Sequence, residues 1–376
     1  MTKKRRNLFC ARILCASILF SLAAPVSAEE TASAVSVKAP EYVLMEPETG
    51  TVILEKDKDV PRSPASVTKV MTLLLIFEEI EKGNLKLDDT VITSAHAKSM
   101  GGSQVFLEEG ETQTVETMIK CIVIASGNDA SVAMAEHIAG SEPEFVNAMN
   151  KKAQALGMKN THFVDCCGLT DSDDHYTTAY DIALMSRELI RKYPEILNYS
   201  SVWMDTITHN TRQGSKEFGL SNTNRLIRTY EGCVGLKTGS TSKAKFCVSA
   251  VAKRKGITLI AVVMAAPDSR TRVKDASMLF DYGFAKCSLY TDENPGKLPD
   301  LKVIKGIKEK TTLTFGKTFR CLSTDGTTFD KIKKKLILPN EVKAPVKKGQ
   351  KAGELVYYQE NRELGRIPVI YAENVK

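Results

Sequence analysis

The stretch "KVMTLLLIFEEI" (69–80) constrains this chain more than any other. From Val70 onward it reads as a helix that is apolar nearly all round. Such a helix is stable only when other elements cover it. The chain must therefore fold in layers around it, and 376 residues, 43% of them hydrophobic, are enough for a sizeable core. Yet the helix opens on Lys69, three residues after Ser66. Residues three apart share a helix face, so the ammonium group can reach the hydroxyl. A serine hydroxyl is a weak nucleophile unless a base takes its proton. A lysine can be that base when burial disfavours its charged form.

The N-terminus is set apart from the fold. "MTKKRRN" is basic, "LFCARILCASILFSLAA" is mostly apolar, and Val26, Ser27 and Ala28 are small residues before Glu29. Residues 1–28 thus read as an export signal, which places the rest of the chain outside the cytoplasmic membrane, on the cell-wall side. No later stretch is apolar and long enough to span a bilayer. Residues 287–376 hold 18 Lys/Arg against 11 Asp/Glu, whereas residues 29–286 hold 29 against 34. An acidic body is therefore followed by a basic piece, which suits an anionic surface such as wall polymer or lipid headgroups. No nucleic-acid partner is expected. Seven cysteines remain after the signal, an odd number without regular spacing, so they read as isolated buried thiols. Cys166 and Cys167 are adjacent, with no residues between them to form a metal knuckle, and the five histidines show no metal spacing. No metal or cofactor is expected.

Residues 42–57 read as two strands around the turn 46–50. Helices are predicted over 114–125, from Asp129 to Gly140, and over 177–193 with Thr177 or Thr178 as cap. Strands follow between Gly232 and Ala266, with a hairpin turn at 253–256, and then a last helix containing "RTRVKDASMLFDYGF". Beyond 291–300 short strands alternate with Lys/Gly/Pro turns to the end of the chain. The expected domains are 36–286, with a helical middle flanked by strands, and 291–376, small and all-β.

Two further motifs join Ser66 and Lys69. "Ser126-Gly127-Asn128" lies well downstream of Ser66, in a loop between two helices. It offers a second hydroxyl and a carboxamide, able to relay a proton and grip an amide. "Lys237-Thr238-Gly239" lies further on again, on a predicted strand. A strand edge binds an extended peptide through main-chain hydrogen bonds. Gly239 is expected to let the substrate approach closely, and Lys237 to place positive charge near a substrate carboxylate.

The trio S-x-x-K, S-x-N and K-T-G is the signature of penicillin-recognising serine enzymes. The flanks "PASVTKVMT", "IASGNDASVAMAEHIAG", "HYTTAYDIALMSRELI" and "NTNRLIRTYEGCVGLKTGSTSKAKFCVSAVAKR", with the C-terminal β module, closely resemble the low-molecular-mass D-alanyl-D-alanine carboxypeptidases. The resemblance spans essentially the whole mature chain. It implies an α+β fold of the β-lactamase/transpeptidase kind, an antiparallel sheet with a helical cluster, followed by the small all-β domain. It implies that Ser66 attacks the D-Ala-D-Ala peptide bond of a peptidoglycan stem peptide and that Lys69 takes its proton. Ser126 and Lys237 would pass a proton to the leaving D-alanine, and Asn128 would hold the substrate amide. The N–H groups of Ser66 and Ser240 would bind the oxyanion. Lys237, Thr238 and Arg272 would meet the terminal carboxylate. β-Lactams would acylate Ser66. The implied biology is cell-wall biogenesis and cell shape. Two features depart from the pattern: position 240 is serine where some relatives have histidine, and no C-terminal amphipathic helix is read before Lys376, which leaves membrane anchoring open. The rival readings on this scaffold are a DD-endopeptidase or transpeptidase and a β-lactamase. "Glu195-Ile196-Leu197-Asn198" is one residue short of the β-lactamase glutamate motif and lies too far past Ser126. A wall-binding protein without activity would not need the intact trio.

Overall fold

The computed structural model describes residues 35–211 and 214–376. The signal expected over residues 1–28, with Cys10 and Cys15, lies outside them. The central element is a five-stranded antiparallel sheet that gathers strands from both ends of the region expected to form the first domain. Its strands are β1 (Glu41–Glu46), β2 (Thr51–Lys56), β3 (Cys233–Thr241), β4 (Lys245–Arg254) and β5 (Ile257–Ala266), in the order β2-β1-β5-β4-β3. Among the described residues β3 is therefore an edge strand, paired only with β4.

Alternating residues sort to opposite faces, as the two-residue period of a strand requires. Ile260, Val262 and Met264 of β5 join Val43 and Met45 on the face that packs against the main helical cluster. Leu259, Ala261 and Val263 join Tyr42 and Leu44 on the other face, under Ala276, Leu279 and Phe280. Those last three belong to the C-terminal helix α5 (Ser269–Lys286), whose start is capped by the Asp268 carboxylate accepting from the N–H groups of Arg270 and Thr271. With both faces covered, β5 is apolar nearly throughout, and alternation alone would not have revealed it as a strand.

The helical layer holds α1 (Lys69–Glu81), α2 (Val115–Val123), α3 (Asn128–Ala139) and α4 (Ala179–Lys192). Every residue of α1 from Lys69 to Phe77 is buried, as its all-round apolar surface demands. Each fully buried leucine there stabilises the fold by roughly 1.5–3 kcal/mol. Thr178 caps α4 by accepting from the Asp181 N–H. A long hairpin, Met204–Thr211 with Gly214–Ser221, also stands on this layer, and the sequence pattern does not announce it.

Strands occupy the chain from Ser288 to Tyr371 and form the all-β C-terminal domain. The segment between the two expected domains is itself a strand, Ser288–Thr291, paired with Arg320–Ser323. A four-stranded sheet runs in the order Leu313–Phe315, Arg362–Tyr371, Lys351–Gln359, Lys333–Ile337. Its small core is centred on Tyr357, whose ring stacks on Phe319 and whose hydroxyl donates to the buried Asp292 carboxylate at 2.8 Å. Lys334 closes the same group, with its Nζ 2.6 Å from Asp292 Oδ2. Among the described residues all seven cysteines are free thiols, six of them buried. No helix among these residues is long and apolar enough to cross a membrane.

Candidate active site

The three-residue spacing predicts Ser66 and Lys69 on one α-helix, but Ser66 does not lie on the α-helix itself. It sits in a 3₁₀ turn, Ala65–Thr68, and α1 proper begins at Lys69. The consequence is favourable, because a 3₁₀ turn stacks residues i and i+3 directly. Lys69 Nζ lies 3.0 Å from Ser66 Oγ. Ala65, just before the serine, has φ +48°, a left-handed conformation that non-glycine residues adopt only when their surroundings impose it.

Two glycines show what imposes it. Gly168 has φ +77°, and a Cβ there would lie 1.9 Å from the Ala65 carbonyl oxygen. Gly239 of β3 presses on the other side: its Cβ would come within 2.6 Å of Pro64 O, 2.8 Å of Ser66 N and 2.9 Å of Val67 N. The nucleophile turn is thus clamped between β3 and the loop after Phe163. The backbone that requires a glycine at position 239 is thus the enzyme's own, a constraint that the sequence reading of Gly239 as room for substrate does not include.

Lys69 is completely buried. Besides Ser66 Oγ, its Nζ donates to Asn128 Oδ1 at 2.6 Å and to the Cys167 carbonyl at 2.8 Å. Burial pushes its pKa below the ordinary lysine value, against the opposing pull of neighbours that include Asp165 and Asp129. Ser126, in the turn between α2 and α3, is also buried and left-handed, with φ +65°. Asn128 is the first residue of α3, and its Nδ2 donates to the Gly101 carbonyl at 2.7 Å. Asp129 accepts from the N–H groups of Val105 and Leu107, which ties the loop 101–107 to the same helix start.

On β3, Lys237 is buried and its Nζ donates to the Thr238 carbonyl at 3.0 Å. Burial first, then the nearby charges of Lys69 and Arg272, push its pKa well down. Thr238 Oγ1 meets Thr223 Oγ1 at 2.7 Å, and Ser240 is exposed beside it. Arg272 reaches in from α5. It is buried, and its Nη1 donates to the carbonyls of Gly239 and Cys247, each at 3.3 Å. Its Nε has no partner, and no carboxylate pairs with it among the described residues. Burial lowers its pKa only to about 10, so it remains a cation where Lys237 is pressed toward neutrality. The structure therefore brings Ser66, Lys69 and Asn128 into one bonded cluster. It sets Lys237, Thr238, Gly239 and Arg272 along the edge strand beside that cluster.

One contributor escapes the sequence reading: the Cys167 carbonyl, which no motif can signal because every residue has one. His175, which the sequence offers as a residue to cap or line the cleft, is buried behind the nucleophile turn, with Nε2 2.8 Å from Thr68 Oγ1 and Nδ1 accepting from the Val164 N–H. That pair of contacts makes it a neutral imidazole donating to Thr68, in keeping with its burial-lowered pKa. Glu195, the glutamate weighed for a β-lactamase, is exposed and starts a short helix, Ile196–Ser200.

Comparison with known proteins points to one family. A family model described as D-alanyl-D-alanine carboxypeptidase matches residues 28–268, and one described as penicillin-binding protein 5, C-terminal domain, matches residues 292–376. The chain is 43% identical over 340 residues to the D-alanyl-D-alanine carboxypeptidase DacF of Bacillus subtilis, covering 90% of this chain and 86% of that protein. It is 32% identical over 382 residues to DacD of Salmonella typhimurium, covering 99% and 95%. Penicillin binding protein 5 from Haemophilus influenzae superposes with a TM-score of 0.67 at 29% identity, covering 90% of this chain and 98% of that one. The clamped serine, the buried lysine behind it, the carboxamide across from it and the lysine-bearing edge strand beside it thus lie in a chain that belongs to the D-alanyl-D-alanine carboxypeptidase family.

Proposed function

We propose that the protein removes the terminal D-alanine from peptidoglycan stem peptides through an acyl-enzyme on Ser66. The observation that carries this is the environment of Lys69. An ammonium group would spend its three protons on Ser66, Asn128 and Cys167, leaving nothing to accept with. A neutral amine keeps two donors for the two carbonyl oxygens and turns its lone pair to the Ser66 hydroxyl. Burial favours that neutral form.

Lys69 then takes the hydroxyl proton as Ser66 Oγ attacks the peptide carbonyl. The N–H groups of Ser66 and Ser240 serve the oxyanion. The C–N bond breaks as the proton that Lys69 took from Ser66 is passed on through Ser126 and Lys237 to the departing amine. Water then cleaves the Ser66 ester and restores the serine. Asn128 grips the substrate amide. The terminal carboxylate pairs first with Arg272, which has no acidic partner of its own, with Thr238 and Lys237 beside it. The unpaired edge of β3 takes the substrate backbone as an added strand. β-Lactams acylate the same serine. Release of D-alanine from diacetyl-Lys-D-Ala-D-Ala tests this, and release that persists in Ser66→Ala would sink it. Peptide hydrolysis slower than penicillin turnover would favour a β-lactamase instead.

In this reading residues 1–28 direct export, residues 36–286 form the catalytic domain, and residues 291–376 form a separate domain. The support for an anionic contact through the latter is its surplus of lysine, including exposed Lys333 and Lys335 on one strand.

A further inference from the structure

We propose that Asp165 is a positioning residue, whose carboxylate folds the loop 165–170 so that the Cys167 carbonyl holds the Lys69 amine in line with Ser66. This rests on the reading of Lys69 as the base. Asp165 Oδ1 accepts from the N–H groups of Cys167, at 2.9 Å, and Gly168; Oδ2 accepts from the Thr170 N–H at 2.8 Å. A trans peptide is planar, and its N–H and C=O point in opposite directions. Capturing the Cys167 N–H therefore turns the Cys166 carbonyl away from Asp165. Capturing the Gly168 N–H does the same to the Cys167 carbonyl.

Both carbonyls end on α1. Cys166 O accepts from Thr72 Oγ1 at 2.5 Å, and Cys167 O accepts from Lys69 Nζ at 2.8 Å. These acceptors sit one peptide apart and meet α1 residues three apart, so one carboxylate sets the register between loop and helix. Gly168, docked against the Ala65 carbonyl, holds the loop close. The Cys167 carbonyl is one of the two acceptors that fix where the neutral amine's lone pair points. A loop that moved it would let the lone pair swing off Ser66, at a cost steep in distance.

The charge has a separate effect. The groups that bear on Lys69 are Asp165, Cys166 and Cys167 from the loop, Asp129 from α3 and Lys237 from β3. Asp165 opposes the downward push of burial, so removing its charge lowers the lysine pKa further.

Two variants separate geometry from charge. Asp165→Glu keeps the charge but displaces the acceptors by a methylene. Asp165→Asn keeps the shape and one carbonyl acceptor but loses the charge. The measurement is acylation by a labelled penicillin, expressed per titratable Ser66 so that only folded sites count, across pH. The expected result for Asp165→Glu is a fall of about tenfold or more with the acid limb in place. For Asp165→Asn it is a fall of about threefold, with the acid limb moved to lower pH. Either variant alone tests the idea if the other fails to fold. Wild-type acylation rates in Asp165→Glu, or an unmoved acid limb with a wild-type rate in Asp165→Asn, would overturn it. A wild-type enzyme that does not acylate at Ser66 would refute the underlying function instead.

Discussion

Gly239→Ala offers a sharp test of how the nucleophile is held. Three backbone atoms, Pro64 O, Ser66 N and Val67 N, would lie 2.6, 2.8 and 2.9 Å from the new methyl group. Ordinary contact begins at 3.4 Å, so either β3 or the nucleophile turn must retreat by about 0.5–0.8 Å. No side-chain rotation can relieve this, because all three atoms are main chain. β3 is fixed by its ladder to β4, with Lys237 opposite Ser249 and Gly239 opposite Cys247. The 3₁₀ turn is the softer partner, and it carries Ser66.

A misplacement of about 1 Å costs on the order of a hundredfold in a positioned reaction. The expected loss in the acylation rate constant is therefore roughly 10–100-fold, with about 1–3 kcal/mol of lost stability from overpacking. The assay is the concentration dependence of penicillin acylation, which separates the acylation step from the binding that precedes it. If Gly239 only cleared a path for substrate, binding would weaken while the acylation step stayed at its wild-type rate. That outcome, with Ser66 unmoved in a structure of the variant, would refute the clamp.

Three other outcomes follow from the same contacts. Acylation should fall as pH drops through the Lys69 pKa, because only the neutral amine accepts the Ser66 proton. Burial places that limb below the ordinary lysine value of about 10.4, and a rate profile with its limb at that value would contradict the assigned base. Arg272→Gln should cut kcat/KM for peptides with a free terminal carboxylate by roughly 10–100-fold without lowering Tm, since the buried guanidinium has no acidic partner to strand; a large drop in Tm with unchanged kcat/KM would assign Arg272 to structure alone. In the C-terminal domain, Tyr357→Phe should cost about 1 kcal/mol by removing a donor from buried Asp292. Burial alone would raise the Asp292 pKa, but the bonds from Lys334 and Tyr357 outweigh it and hold it down. Its contribution is therefore present above about pH 4 and lost as pH falls further, which acid unfolding of wild type against Tyr357→Phe would show.

What is legible in the sequence is what a few consecutive residues decide. Ser66 and Lys69 meet because one turn stacks residues three apart, and α1 is central because its composition leaves it no exposed face. β1, β2 and the hairpin of β4 and β5 announce themselves by turn residues and apolar runs. The hairpin Met204–Ser221 escapes for a physical reason. Among its described residues only Ile207, His209 and Leu220 are buried, so its sequence carries too little apolar alternation to read as strand.

Gly239 shows where such reading ends. A glycine signals that something comes close, but not what. Here the neighbour is the turn 64–67, far earlier in the chain, and it arrives only because the sheet gathers strands from both ends of the domain. The Cys167 carbonyl is hidden in the same way, since its direction depends on where Asp165 sends the adjoining N–H. Side chains that perform chemistry leave a pattern of residue types. The backbone atoms that aim them are chemically uniform, so only the fold distinguishes them. A serine–lysine motif is therefore a statement about available chemistry. Whether it works also depends on Gly168, the Cys167 carbonyl and the Asp165 carboxylate, which no motif contains.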